Sequence, residues 1–245
     1  MMNDSSLDKS LTTDTPVPFL EDILSTLRHQ LGNSVNALKV TLDVLHENFD
    51  LFNDEKKREY LERAQEVLAR QQAMVDAMRS YSSVNVNDQK PIEFLSFWEQ
   101  FLLTLRQRTE KITSVQNLQA GPYHVMGSPI AIQTVLFQLV ENALDAVEGI
   151  ENPRIELSVT SEAERIRIGV KDNGCGIKQK EMSKIFVPLF TTKAKRKGLG
   201  LSIALKLMTQ MGGRLEIAPL AEGGTVATIW LQLVDGEIHG QAIHQ

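Results

Sequence analysis

From Leu20 to Phe49 every apolar anchor falls three or four residues after the last, through Leu24, Leu27, Leu31, Val35, Leu38, Leu42 and Leu45. That spacing marks the seam of a coiled coil or a helical bundle. A second, shorter seam follows at Leu61, Ala64, Leu68, Val75 and Met78, interrupted by Gln71, and only a short turn around Asp50 to Asp54 separates the two. Helices joined so tightly are expected to pack antiparallel. A lone hairpin covers one side of each helix, so a homodimer closing a four-helix bundle is the expected completion. His29 stands between Leu27 and Leu31, where the spacing turns it outward. Around it the seam takes two four-residue steps in succession, 27 to 31 to 35, a stutter that locally unwinds a supercoil.

Far downstream, V-K-D-N-G-C-G-I at 170 to 177 places a carboxylate two residues ahead of a glycine, at the end of an apparent strand. Asp172 can accept a hydrogen bond from the exocyclic amine of a base, while Gly174 and Gly176 let backbone approach a flat ring or adopt positive φ. Tight turns and calcium loops share this pattern, so the stretch alone does not decide. Its neighbours do. Upstream, 134 to 147 reads as a helix from the spacing of Val135, Leu136, Leu139, Val140, Ala143 and Val147, with Asn142 as the polar exception. Downstream come I-F-V-P-L-F-T-T-K at 185 to 193 and K-G-L-G-L-S-I-A at 197 to 204, a glycine pair opening a helix. Such a helix start offers free N–H groups and a positive dipole end to phosphates.

In this order and spacing the segments resemble the ATP-binding domain of the GHKL superfamily, which includes bacterial sensor histidine kinases, DNA gyrase and MutL. The resemblance covers 91 to about 235, with the N box at 138 to 146, the first glycine box at 170 to 177, the F box at 185 to 190 and the second glycine box at 197 to 201. It implies that Asn142 coordinates the Mg²⁺ bridging the phosphates of ATP and that Asp172 binds adenine. It implies nucleotide contacts from Gly174, Gly176, Thr191, Thr192, Lys193, Lys197, Gly198, Leu199 and Gly200, with the loop from Phe190 to Gly198 as an ATP lid. F-T-T-K followed closely by G-L-G-L looks most like the nitrogen-regulator branch of the kinases. Arg196 stands where kinases usually carry the first glycine of G-x-G-L-G-L, and with Lys195 and Lys197 it is expected to supply charge to the phosphates.

Water-using members of the superfamily carry a Glu four residues before the magnesium asparagine; here that position is Gln138. An amide has no useful basicity near neutral pH, so the hydrolytic base is missing. Glu141 does not replace it, because adjacent helix positions point about 100° apart. The γ-phosphoryl group is therefore expected to pass to a side chain. His29-Gln30-Leu31-Gly32-Asn33 resembles the histidine-kinase H box, in which the histidine is the phosphoacceptor. A neutral imidazole keeps one nitrogen lone pair free near pH 7. Gln30 departs from the family's acid, which is assigned as the base that orients the ring and removes its proton. Ser34 replaces a common proline. The residue at the Asn33 position is implied to place water when a regulator is dephosphorylated.

The expected architecture is α+β. Residues 1 to 18 are a disordered lead-in, 19 to 82 the dimerisation and phosphotransfer hairpin, 83 to 90 a hinged polar linker, 91 to 235 an α/β sandwich of the GHKL (Bergerat) type and 236 to 245 a tail. Within the sandwich, Ile92 to Arg108 is expected to be a helix. Ile155 to Thr160, Arg165 to Lys171, Arg214 to Ala218 and Thr225 to Leu233 are expected strands. Gly127-Ser128-Pro129 should cap the helix that carries Asn142. No apolar run approaches the roughly 20 residues of a membrane span. A single cysteine, Cys175, fits a cytoplasmic chain, and a net charge of −5 without a basic tract argues against nucleic acid as main partner.

These readings converge on a soluble histidine kinase that uses ATP and Mg²⁺ to phosphorylate His29 and passes the group to an Asp of a response regulator, acting also as its phosphatase. The alternative is a phosphotransfer or regulator-docking protein with little autokinase activity. With no sensor domain read in the chain, input is expected from a separate partner protein.

Overall fold

The computed structural model describes residues 20–116, 122–193 and 196–234; over residues 20–30 it describes the side chains of Ser25, Arg28 and His29 alone. The lead-in, the tail, Lys195 and the side chains of Leu20, Leu24, Leu27 and Gln30 lie outside the described residues.

Two helices open the chain. α1 (Leu20–Glu47) runs unbroken through His29 and Gly32, and α2 (Asp54–Ser83) starts after Asn53, whose side-chain oxygen accepts the Lys56 N–H at 2.9 Å. This cap, followed by Asp54 and Glu55 at the positive end of the helix dipole, fixes where the turn ends. At the tip, Phe52 stacks on Tyr60 with ring centroids 5.4 Å apart, and the Lys57 ammonium lies 4.3 Å from the Phe49 ring centroid.

The seam read from the sequence divides into two faces. Leu45 and Thr41 of α1 and Ala64 and Ala77 of α2 are buried within the hairpin, with Leu31, Leu38, Gln71 and Met78 half-buried beside them. Val35 and Leu42 on α1, Phe49 in the turn after it, and Leu61, Leu68 and Val75 on α2 are instead exposed. Gln71 thus belongs to the inner face that the sequence reading took it to interrupt. A strict three-and-four spacing runs on both sides of a helix that must pack twice, once on its hairpin mate and once elsewhere.

The rest of the chain builds a mixed seven-stranded sheet. Its elements are β1 (Lys90–Glu93), α3 (Phe94–Arg108), β2 (Ile112–Gln116), β3 (His124–Gly127), α4 (Pro129–Ala146), β4 (Ile155–Glu162), β5 (Arg165–Asp172), α5 (Gln179–Met182), α6 (Gly200–Gln210), β6 (Arg214–Pro219) and β7 (Thr225–Val234). The strand order is β1-β3-β7-β5-β4-β2, and β6 also pairs with β7. The long β7 serves both β6, from Thr225 to Trp230, and β3, at Leu233 and Val234. Pairings are antiparallel except that of β2 with β4. Against this sheet α4 and α6 bury their apolar faces, and α3 joins them through Phe101, whose ring lies 5.2 Å from that of Phe137 on α4.

The four expected strands are present within two residues of their expected ends. The expected helix from Ile92 begins instead at Phe94, because Ile92 is the buried residue of β1 and the Glu93 carboxylate caps the helix by accepting the Leu95 and Ser96 N–H groups at 3.1 and 2.8 Å. The strands β1, β2 and β3 were not anticipated. Each is four or five residues long, and β2 has no fully buried residue to give it an alternating pattern. No helix among the described residues is long and apolar enough to cross a membrane.

Candidate functional site

A cavity of about 440 Å³ opens between α4, the end of β5 and the start of α6. One wall is set by the way β5 stops. Asn173, the next residue, accepts the Arg154 N–H at 2.7 Å and donates its amide to the Asn152 carbonyl at 2.8 Å, clamping the strand end to the preceding loop. Gly174 then passes against the C-terminal turn of α4, where any Cβ would collide with the Ala146 carbonyl, and the Cys175 N–H donates to that carbonyl at 3.0 Å. Glycine is required here by the helix, because the space a side chain would take is filled by Ala146. Gly176, at φ +67°, turns the chain back as its left-handed geometry allows.

The turn fixes Asp172 at the cavity wall, 5% exposed. Burial pushes its carboxyl above the ordinary carboxylate range, offset in part by the Gly174 N–H, which donates to Oδ1 at 2.9 Å, and by the Thr225 N–H. A buried carboxylate with lone pairs to spare can accept from a flat nitrogenous ligand.

α4 forms the opposite wall. Ser128 caps it, with Pro129 in its first turn, as the sequence predicts. Its apolar face, including Ile132, Val135, Leu136, Leu139 and Ala143, is buried in the core, which leaves Gln138 and Asn142 on the cavity side. Asn142 Nδ2 is buried without a hydrogen-bond partner among the described residues. Such an orphan costs about 1–3 kcal/mol, a cost relieved where a ligand engages the amide. Gln138 Oε1 lies where a Gly200 side chain would go, a contact that the flexible Gln138 side chain can relieve by shifting.

The far end of the cavity is the start of α6. Leu199 supplies no side-chain cap, leaving the first N–H groups of the eleven-residue helix α6 free for an anion. Gly198, at φ +69°, packs against Leu189, and its carbonyl accepts the Leu189 N–H at 2.8 Å, tying the F-V-P-L-F segment to the glycine pair. Thr191 and Thr192 are exposed beside it; Thr191 Oγ1 accepts the Lys193 N–H at 3.0 Å. Lys193 Nζ reaches the Asn142 carbonyl at 3.4 Å and Asp145 Oδ2 at 3.2 Å. Lys197 is exposed.

Arg196 departs from its expected role. Its guanidinium is held by Asp145, at 2.8 and 2.9 Å, and by Glu141, at 2.9 Å. Those hydrogen bonds, Asp145's first, raise its pKa further. Burial alone would raise the Asp145 carboxyl, but Arg196 and Lys193 together hold it below the usual range. Asp145 went unnoticed in the sequence, although an i,i+4 acidic pair on the cavity helix facing the run K-A-K-R-K was a legible signal.

The structure thus brings Asn142, Asp172, Gly176, Thr191, Thr192, Lys193, Lys197, Gly198, Leu199 and Gly200 around one cavity. His29 and Asn33 are elsewhere: both are exposed on α1, one turn apart, and neither lines the cavity. Among the described residues no three His, Cys, Asp or Glu side chains cluster as a protein-only metal site.

Known proteins match both halves. A family model described as "Histidine kinase-, DNA gyrase B-, and HSP90-like ATPase" matches residues 127–235, and one described as "His Kinase A (phospho-acceptor) domain" matches residues 19–86. The chain is 27% identical over 217 residues to the C4-dicarboxylate transport sensor protein DctB of Pseudomonas aeruginosa, covering 84% of this chain and 35% of that protein. It therefore spans about a third of the length of the curated relatives it matches. The solved catalytic domain of the histidine kinase ThkA is 25% identical with a TM-score of 0.52, over 60% of this chain and 96% of that one. ThkA solved in complex with the response regulator protein TrrA shares the fold over 88% of this chain and 62% of that one, with a TM-score of 0.56 at 22% identity.

Proposed function

Since both halves match their family models, the chain belongs to the histidine kinases of two-component signal transduction, and we propose that it moves the γ-phosphoryl group of ATP to His29 and from there to an Asp of a response regulator. The observation that carries this reading is the separation of parts: a cavity with Asp172, Asn142 and a bare helix start on one module, and an exposed imidazole on the other.

In this reading Asp172 accepts from the adenine amine and the free N–H groups of α6 receive the phosphates. Asn142 would hold a Mg²⁺ ion through its amide oxygen, and the ion would neutralise charge on the phosphates. Lys193 and Lys197 add positive charge as it develops on the transferring group. His29 attacks in line: an N–P bond forms at the imidazole, the P–O bond to the β-phosphate breaks, ADP leaves, and the ring proton goes to solvent. Gln30 has no carboxylate to take the ring proton, which slows the step. Gln138 cannot activate water, so the nucleotide is not spent in hydrolysis. Asn33, one turn beyond His29, places water against the phosphorylated regulator, whose aspartyl phosphate is then hydrolysed to free Asp and inorganic phosphate.

The exposed stripes on the hairpin supply the remaining partner. Val35, Leu42 and Phe49, and Leu61, Leu68 and Val75, recur every seven residues and are 37–54% exposed. A second copy covers them, making the four-helix bundle of a cytoplasmic homodimer. The response regulator docks on this hairpin and input comes from a sensor. ThkA's capture with a regulator is a precedent for that partner class.

The test is labelling with Mg²⁺ and γ-labelled ATP, comparing the protein with His29→Ala. Acid-labile, alkali-stable label lost in the variant is the expected result. Bound ATP without label would favour a regulator-docking protein, the reading that Gln30 supports.

A further inference from the structure

The carboxylates that hold Arg196 do more than satisfy it. Glu141 and Asp145 lie one turn apart on α4, and Asn142 lies between them. Three of the five guanidinium donors are used on these two carboxylates, including a forked pair on Asp145 whose side chain is only 20% exposed. Lys193 adds a second cation to the same Asp145. Two positive and two negative side chains thus cancel beside the phosphate end. Arg196 is also two residues from Gly198, whose carbonyl anchors Leu189, so the clasp fixes backbone that continues directly into the glycine pair. A forked, partly buried Arg–carboxylate arrangement is geometrically specific in a way an exposed Lys pair is not.

We propose that Glu141 and Asp145 are positioning residues: they clasp Arg196 to α4 before nucleotide arrives, and opening of this clasp sets how fast nucleotide enters and leaves the phosphate end. The proposal rests on the nucleotide reading of the cavity. It assigns Arg196, at the position where related kinases usually carry glycine, the holding of the chain that a glycine would leave loose. The clasp operates on exchange; ground-state affinity changes less, because loss of the clasp speeds entry and release together.

Two measurements on the full chain test it. Backbone hydrogen exchange over 196–199 without nucleotide, and stopped-flow release of a fluorescent ATP analogue with Mg²⁺, are compared in the wild type, Arg196→Gly, Arg196→Lys, Glu141→Gln/Asp145→Asn and the combination of the first with the last. Both rates are expected to rise roughly tenfold in Arg196→Gly and in the double carboxamide variant, the size of a well-formed ion-pair network. Arg196→Lys should fall between, and the combined variant should be no faster than either parent. Exchange and release unchanged from wild type, or additive effects in the combined variant, would overturn the clasp. If wild type binds no nucleotide, the cavity reading falls, while the nucleotide-free exchange rates still judge the clasp.

Discussion

The hairpin and the sheet module are built by the same rules and reach opposite ends. In the sheet module, α3, α4 and α6 meet a sheet whose inward residues, such as Ile155, Ile166, Ile168 and Ile229, are wholly inaccessible, and a continuous core results. Among the described side chains of the hairpin only Leu45, Ala64 and Ala77 of the apolar residues are buried, while eight larger ones stay in water. Burying each such side chain contributes about 1.5–3 kcal/mol, so the hairpin leaves its main stabilising term unused until another surface covers it. The module that holds the cavity is complete by itself. The module that carries His29 leaves an apolar surface for a partner to cover, as the proposed transfer between a kinase domain and a regulator requires.

The deepest break in that comparison is Phe101→Ala. Phe101 is 1% exposed and packs its ring on Trp98 and Phe137, so truncation should cost about 3–5 kcal/mol. Thermal unfolding should show the sheet module melting early with the hairpin's helicity retained; simultaneous loss of both would mean that the modules are not independent. Leu68→Glu acts on the other side. It puts a charge in the middle of an outer stripe, and sedimentation should show dimerisation weakened roughly a hundredfold or more, with nucleotide binding unchanged.

Asp172→Asn should weaken ATP about 10- to 100-fold in calorimetry, the worth of a hydrogen bond to a charged acceptor, without altering dimerisation. The pH dependence of the two cavity acids separates them. The Asp172 pKa is raised in the folded protein, so its ionised form is a liability at neutral pH that disappears as pH falls through the folded value. Nucleotide affinity should therefore begin to drop above the ordinary carboxylate range. The Asp145 pKa is lowered, so the stability it lends is present above its unfolded value and is lost only as pH falls through the lower folded one. Titrating ATP binding against exchange at 196–199 should give two midpoints in that order; coincident midpoints would contradict it.

The smallest effect lies at the seam between modules. Lys206 of α6 donates to the Tyr81 and Ser82 carbonyls at 2.8 and 3.4 Å, capping the end of α2, and Gln210 Oε1 accepts the Val86 N–H at 3.0 Å. Burial lowers the Lys206 pKa. The stretch read as a hinged linker is thus held by α6 just before its start, at Val86, and near its end, where Gln89 Nε2 donates to the Gln210 carbonyl at 2.7 Å. Lys206→Ala should cost about 0.5–1 kcal/mol and speed hydrogen exchange over 84–89, the measure of a freer hinge.

What was legible in the sequence follows from how each feature is encoded. The long elements with a strong period, α1, α4 and β7, could be read because packing repeats along them. The cavity residues could be read because backbone approach and anion binding demand particular residues, glycine above all, at particular spacings. β1, β2 and β3 could not, being short and poor in buried side chains. The two faces of α1 merged because a helix that packs on both sides shows a continuous three-and-four spacing. Arg196 was misread because a cation beside a phosphate site invites the nearest anion as its partner, and its actual partners lie some fifty residues earlier on α4. Gly174 was assigned to ligand clearance when the Ala146 carbonyl is what excludes its Cβ.

The central claim is that the exposed imidazole on the unfinished module receives what the finished module holds. Tandem mass spectrometry under neutral conditions after incubation with Mg²⁺ and ATP tests it most directly, with Asn142→Ala as the control that breaks the cavity while sparing the hairpin. A phosphoryl group mapped to His29 in the wild type and absent from Asn142→Ala is the predicted result. A phosphoryl group on another residue, or on His29 at equal level in Asn142→Ala, would contradict the account.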